Sequence, residues 1–158
     1  MTTAQDALAA LAVHLGLPLA FADGICELRV DGQHVVVRDD DVRGRLVVSA
    51  LVADDLPDAP SRAFVCDLLN LGFGVMEKGL PAVGRDPETG FIAGFAVFPL
   101  ATLSAAEFPE AFDKFAAFAS ALADRFEAER AGRTDATEGA PSSDKGASAF
   151  NTDGFMQV

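Results

Sequence analysis

Residues 25–55, ICELRVDGQHVVVRDDDVRGRLVVSALVADD, decide the fold. They hold three runs rich in β-branched residues, ICELRVDG, HVVVRDDD and RLVVSALVADD, separated by Asp31-Gly32 and by an Asp-rich turn with Gly44. Asp-Gly between alternating apolar runs reverses the chain without a crossover, so the pattern predicts an antiparallel meander. Upstream, Thr3 followed by Asp6 resembles a capping box, and Leu8, Leu11 and Leu15 recur at helical spacing until Gly16 and Pro18. That predicts a helix over residues 4–15.

Downstream, Pro57 and Pro60 punctuate the chain, Ser61 or Asp58 can cap, and RAFVCDLLNLGF reads as a second helix ending at about Gly72 or Gly74. AVGRD and FIAGFAVFPL then flank Asp86-Pro87-Glu88-Thr89-Gly90, a hairpin turn by its proline and glycine. Ser104 with Glu107 forms a second capping box, and Phe112, Phe115, Ala119, Leu122 and Phe126 mark the buried stripe of a third helix. From Ala131 onward Gly, Ser, Thr, Ala and Asp dominate, and such a segment cannot repay the entropy of ordering. The expectation is a domain over residues 1–130 and a polar, disordered tail over 131–158. The element order α-β-β-β-α-β-β-α gives an α+β sandwich, with helices against one twisted, largely antiparallel sheet.

The 158 residues are half hydrophobic and carry a formal net charge of -12. That charge repels a polyanion, so nucleic acid is not expected as a partner. The amino terminus lacks a basic start, and Gln5, Asp6 and His14 interrupt its apolar content, so it is neither a signal peptide nor a membrane span. Cys26 and Cys66 each sit in an apolar run without a CxxC, which suits buried thiols in a reducing compartment.

Chemistry-bearing motifs are scarce. His14 and His34 have no acidic or cysteine neighbour at metal-ligand spacing, and no metal or cofactor is expected. Asp39-Asp40-Asp41 and Asp54-Asp55 do not follow the spaced EF-hand pattern and read as solvated turns. Gly72-x-Gly74 lacks a third glycine and follows a helix where a strand is required, and there is no GxSxG. No catalytic residue is assigned, and a binding role is expected in place of an enzymatic one.

The second helix is the informative element. At 100° per residue, Leu71, Phe64, Leu68, Val65, Leu69, Phe73 and Cys66 cover an arc of roughly 220°, whereas packing on one sheet needs about 100°. A homodimer through Phe64, Val65, Leu68, Leu69 and Phe73 accounts for the excess, and a helix buried on several sides of a monomer is the alternative. The sheet is apolar on both faces, because alternation puts Val35 and Val37 opposite Val36, and Phe91, Phe95 and Val97 opposite Ile92 and Phe98. One face must lie under helices, and the other then keeps an apolar patch that marks a binding surface. Leu8 and Leu11 of the first helix, with Val36 and Phe95 of the sheet, are the candidate binding residues. Polar His34 and Arg38 share the face of Val36, and small residues flank Phe95, which reads equally well as core.

LAVHLGLP closing the first helix, ICELRVDG, RLVVSALVADDLP leading into the second helix, and DPETG between the last strands together resemble the class I type III secretion chaperones of the Tir-chaperone family. The resemblance covers residues 4–130, and the long polar segment after Arg130 departs from the family pattern. It implies an ATP-independent homodimer in the bacterial cytoplasm that binds the amino-terminal segment of a secreted effector and keeps it export-competent. It also makes the secretion apparatus a further partner. A YbjN-like interaction or regulatory module of the same fold is the alternative.

Overall fold

The computed structural model describes residues 2–78 and 81–138, with side chains described for 2–71 and 81–132. Helix α1 spans Ala4–Leu15. Its capping box forms as expected: Asp6 N–H donates to Thr3 Oγ1 at 3.1 Å, and Thr3 N–H donates to Asp6 Oδ2 at 3.0 Å. Gly16 closes the helix in the left-handed region at φ 65°, where a Cβ would be strained.

The meander follows as strands β1 (Ile25–Val30), β2 (Gln33–Asp40) and β3 (Arg45–Ala53). Asp31 and Gly32 both have positive φ, 49° and 83°, so the two-residue loop has the backbone twist that matches paired strands. A short 3-10 turn, Asp41–Arg43, joins β2 to β3. The acidic run is therefore not a solvated turn throughout, since Asp39 and Asp40 belong to β2.

Helix α2 covers Arg62–Lys78, β4 covers Ala82–Arg85, β5 covers Ile92–Pro99 and α3 covers Phe108–Glu138. The strands form one antiparallel sheet in the order β1-β2-β3-β5-β4. The hairpin between β4 and β5 closes with Asp86 N–H donating to Phe91 O at 2.8 Å and Gly90 N–H donating to Asp86 O at 2.9 Å.

Three boundaries differ from expectation. Helix α2 continues through Gly72 and Gly74 to Lys78, because glycine lowers helix stability by about 1 kcal/mol without forbidding it. Helix α3 begins at Phe108, and the Ser104 carbonyl accepts from the Glu107 and Phe108 amides in the preceding turn. A Ser104–Glu107 side-chain box is not among the hydrogen bonds of the described residues. Helix α3 also runs past Ala131 to Glu138, since propagating an established helix adds one bond per residue without a new nucleus. The expected tail thus begins no earlier than residue 139, and residues 139–158 lie outside the described residues.

All three helices bury side chains against the same sheet face. Under α1 and the first half of α3, Leu8, Leu11, Val35, Val37, Phe112 and Phe115 pack with no more than 1% exposure. Phe64 of α2 joins Ala53, Ile92, Leu122 and Phe126 in a second cluster, with the Phe64 and Phe126 rings edge-to-face at 4.9 Å. Each fully buried large side chain contributes about 1.5–3 kcal/mol of transfer free energy.

Candidate functional site: the open sheet face

Burying Val35 and Val37 under the helices fixes what the other face carries, because a one-residue slip of register would exchange the two sets. Val36 stands opposite Ser49, and Ser49 opposite Phe95, in one row across β2, β3 and β5. The adjacent row is Ile25, Arg38, Val47 and Val97. These residues, with Ala93 and Arg45, line a shallow groove of about 530 Å³. Its apolar floor is open: Phe95 is 36% exposed, Val97 41% and Ile25 39%, and Val36 and Val47 are half-buried.

Two arginines stand in the groove. Arg45 Nε donates to Asp40 Oδ2 at 2.7 Å, and Arg43 approaches the same oxygen at 3.4 Å. The Arg45 hydrogen bond holds the Asp40 carboxyl below its usual range. Among the described residues Arg38 has no carboxylate partner. At the β1 end of this face, His34 Nε2 lies 3.3 Å from Glu27 Oε2. Among the described residues the arrangement offers apolar seats and a cation, features suited to holding an extended apolar segment.

Of the candidate client contacts, Val36 and Phe95 share this face as expected. Leu8 and Leu11 do not: both are fully buried, and the expectation is corrected for them. They occupy the side of α1 that meets the sheet, and among the described residues α1 turns Val13, 85% exposed, to solvent. The oversized arc of α2 also divides. Phe64 belongs to the monomer core against Phe126, which corrects its place in an interface, and Leu68 is half-buried beside it. Val65 and Leu69 point outward at 38% and 66% exposure. The side chain of Phe73 lies outside the described residues.

Cys26 is buried, and burial raises its thiol pKa. Cys66 is exposed on the outward side of α2, which corrects the expectation of two buried thiols. His14, which has no acidic neighbour at metal-ligand spacing in the sequence, lies 2.9 Å from Asp113 Oδ2, 99 positions away. Among the described residues no group of three His, Cys, Asp or Glu side chains is arranged to hold a metal. No helix there is long and apolar enough to cross a membrane. Sequence reasoning placed Arg38 on the face of Val36 but missed Ile25 and Val47 as groove residues. Their period-2 alternation was visible, but the row that joins them depends on strand register.

Comparison with known proteins agrees with this architecture. Residues 6–123 match the model of the Tir chaperone protein (CesT) family. The fold is shared with a chain of the HopA1-SchA chaperone-effector complex, at a TM-score of 0.62 and 21% identity over 76% of this chain and 92% of that one. A chain of the ExoU-SpcU complex from the type III secretion system of Pseudomonas aeruginosa superposes at 0.61 with 16% identity, covering 76% and 97%. The Yersinia pestis type III secretion chaperone SycH in complex with a fragment of YscM2 gives 0.58 with 14% identity, covering 73% and 96%. No curated protein sequence matches the chain.

Proposed function

The chain belongs to the Tir chaperone protein (CesT) family, and from that premise we propose that it is a type III secretion chaperone acting in the bacterial cytoplasm. It binds the amino-terminal segment of a secreted effector in extended form, without ATP, and keeps it ready for export. The observation that carries this reading is the uncovered sheet face, where Val36, Val47, Phe95 and Val97 form an apolar groove on a chain of net charge -12. An extended client presents alternate side chains that fit such seats, and strand β1, at one edge of the sheet, offers backbone groups for β-augmentation.

Ordering a client costs about 2–5 kcal/mol of the gross interaction. A large wrapped surface offsets that cost, and the outward residues of α2, Val65 and Leu69, favour a twofold homodimer that doubles it. The family match favours this reading over a YbjN-like module of the same fold.

The test begins with a pull-down from the native cytosol, identification of the captured protein and synthesis of its amino-terminal segment. Val36→Asp and Phe95→Asp, each confirmed folded by circular dichroism, are expected to weaken binding by roughly ten-fold or more, since an unpaired carboxylate covered by apolar groups costs more than the about 1–3 kcal/mol of an unpaired neutral polar group. Capture of no secreted protein would overturn the function. Full affinity in both variants would remove this face from it.

A further inference from the structure

We propose that the chain's own residues 149–158, AFNTDGFMQV, occupy the open sheet groove until a client displaces them. The groove comes first: an apolar floor of Val36, Val47, Phe95 and Val97 faces outward with none of the described helices over it. Contiguous patches of this kind on soluble proteins mark sites that something covers. The space of about 530 Å³ falls in the range of pockets that take large side chains.

The occupant follows from what the sequence supplies after α3. Between residues 139 and 148 the chain is built from Gly, Ala, Pro, Ser, Asp and Lys, a spacer without a large apolar group. Phe150, Phe155, Met156 and Val158 then arrive together. The stretch from residue 139 to 155 reaches up to roughly 55 Å when extended. A folded chain of this length has a radius of gyration of about 15 Å, so the extended stretch is longer than the fold is wide.

Charge complementarity supports docking in the groove. Asp153 is the sole charged side chain in residues 149–158. Arg38 stands in the groove without a carboxylate partner among the described residues, on a chain that is otherwise strongly acidic. In extended backbone Asp153 and Phe155 lie two residues apart on one side, roughly 6.7 Å, the same separation as Arg38 and Val36 along β2. One segment can therefore set its carboxylate on the guanidinium and its ring beside Val36 and Phe95. The face excludes its own backbone from pairing, so side-chain contact alone holds the segment, and a client that also engages an edge strand displaces it.

Competition with a client rests on the function proposed above, whereas the docking itself does not. The experiment places p-benzoylphenylalanine at position 155 of the full chain, refolds isotopically light and heavy protein together from denaturant so that dimers scramble, irradiates and maps the cross-links by mass spectrometry. Cross-links from position 155 to the peptides bearing Val36, Val47 and Phe95, within chains of one isotope, are expected, and Arg38→Gln is expected to reduce them. Light-to-heavy links would make the occupant a second copy, and links elsewhere or none would equally overturn the proposal. In the full chain, Phe155→Ser with Met156→Ser is expected to tighten client binding roughly three- to ten-fold, the factor by which self-occupancy lowers the competent fraction. Unchanged affinity beside intrachain cross-links would overturn the competition. Those cross-links with a client bound elsewhere would leave the docking standing and refute the client site.

Discussion

Asp39 and Asp40 are neighbours with opposite fates. Asp40 faces Arg45 across the β2–β3 pair and is held ionised by it. Asp39 falls in the inward row opposite Leu46, where its Oδ1 is buried and makes no hydrogen bond among the described residues. Burial, followed by the charges of Asp41 and Asp40, raises the Asp39 pKa above its ordinary 3.8. As pH rises through the window between the unfolded and folded pKa values, the unfolded chain releases a proton that the folded chain retains. Stability therefore falls across that window and stays lower above it. Asp39→Asn, which removes the charge, is expected to raise Tm at pH 7, with the difference closing as pH falls into the carboxylate range. A lower Tm for the variant at pH 7, read by circular dichroism, would show that the Asp39 charge stabilises the fold. Three successive aspartates look identical in sequence. Only their alternation across a strand that continues to Asp40 separates them, and no glycine or proline announces that the strand has not already ended.

Helix α2 shows the same limit one level up. Its wide apolar arc is plain in the sequence, but a helical wheel carries no orientation, and the residue that claims Phe64, Phe126, is 62 positions away. The structure turns Phe64 and Leu68 inward and leaves Val65 and Leu69 outside. The two sides therefore respond differently to substitution. Phe64→Ala is expected to lower the unfolding free energy by about 3–5 kcal/mol, as a truncated core phenylalanine does. Leu69→Asp is expected to leave the folded monomer within about 0.5 kcal/mol of its stability, yet to halve the mass measured by light scattering. If the unmodified chain is a monomer at micromolar concentration, the dimer through α2 is wrong. The caps and turns of α1 and of both hairpins were legible because each is written in adjacent residues. The ends of α2 and α3 were not, because glycine and small polar residues weaken a helix without stopping one already propagating.

At the scale of the molecule, α3 joins β3 and β5 in spanning both core clusters. Its Phe108, Phe112, Phe115 and Ala119 belong to the cluster under α1, and its Leu122 and Phe126 to the cluster under α2. The five-residue stripe read from the sequence is buried along its whole length, but the stripe does not reveal that it serves two cores. That depends on the pairing of β3 with β5, which skips α2 and β4. A rigid helix shared by both clusters couples them, because neither can loosen without exposing part of the same stripe. Phe112→Ala and Phe126→Ala are each expected to cost about 3–5 kcal/mol, and each variant is expected to unfold in a single transition that involves both clusters. The chain has no Trp or Tyr, so the measurement is urea unfolding followed by far-ultraviolet circular dichroism and by methyl NMR signals from Leu11 in the first cluster and Ile92 in the second. Coincident midpoints for Leu11 and Ile92 in both variants support one cooperative unit. Early loss of the Ile92 signal in the Phe126 variant, with Leu11 unaffected, would show that the second cluster unfolds as a separable layer.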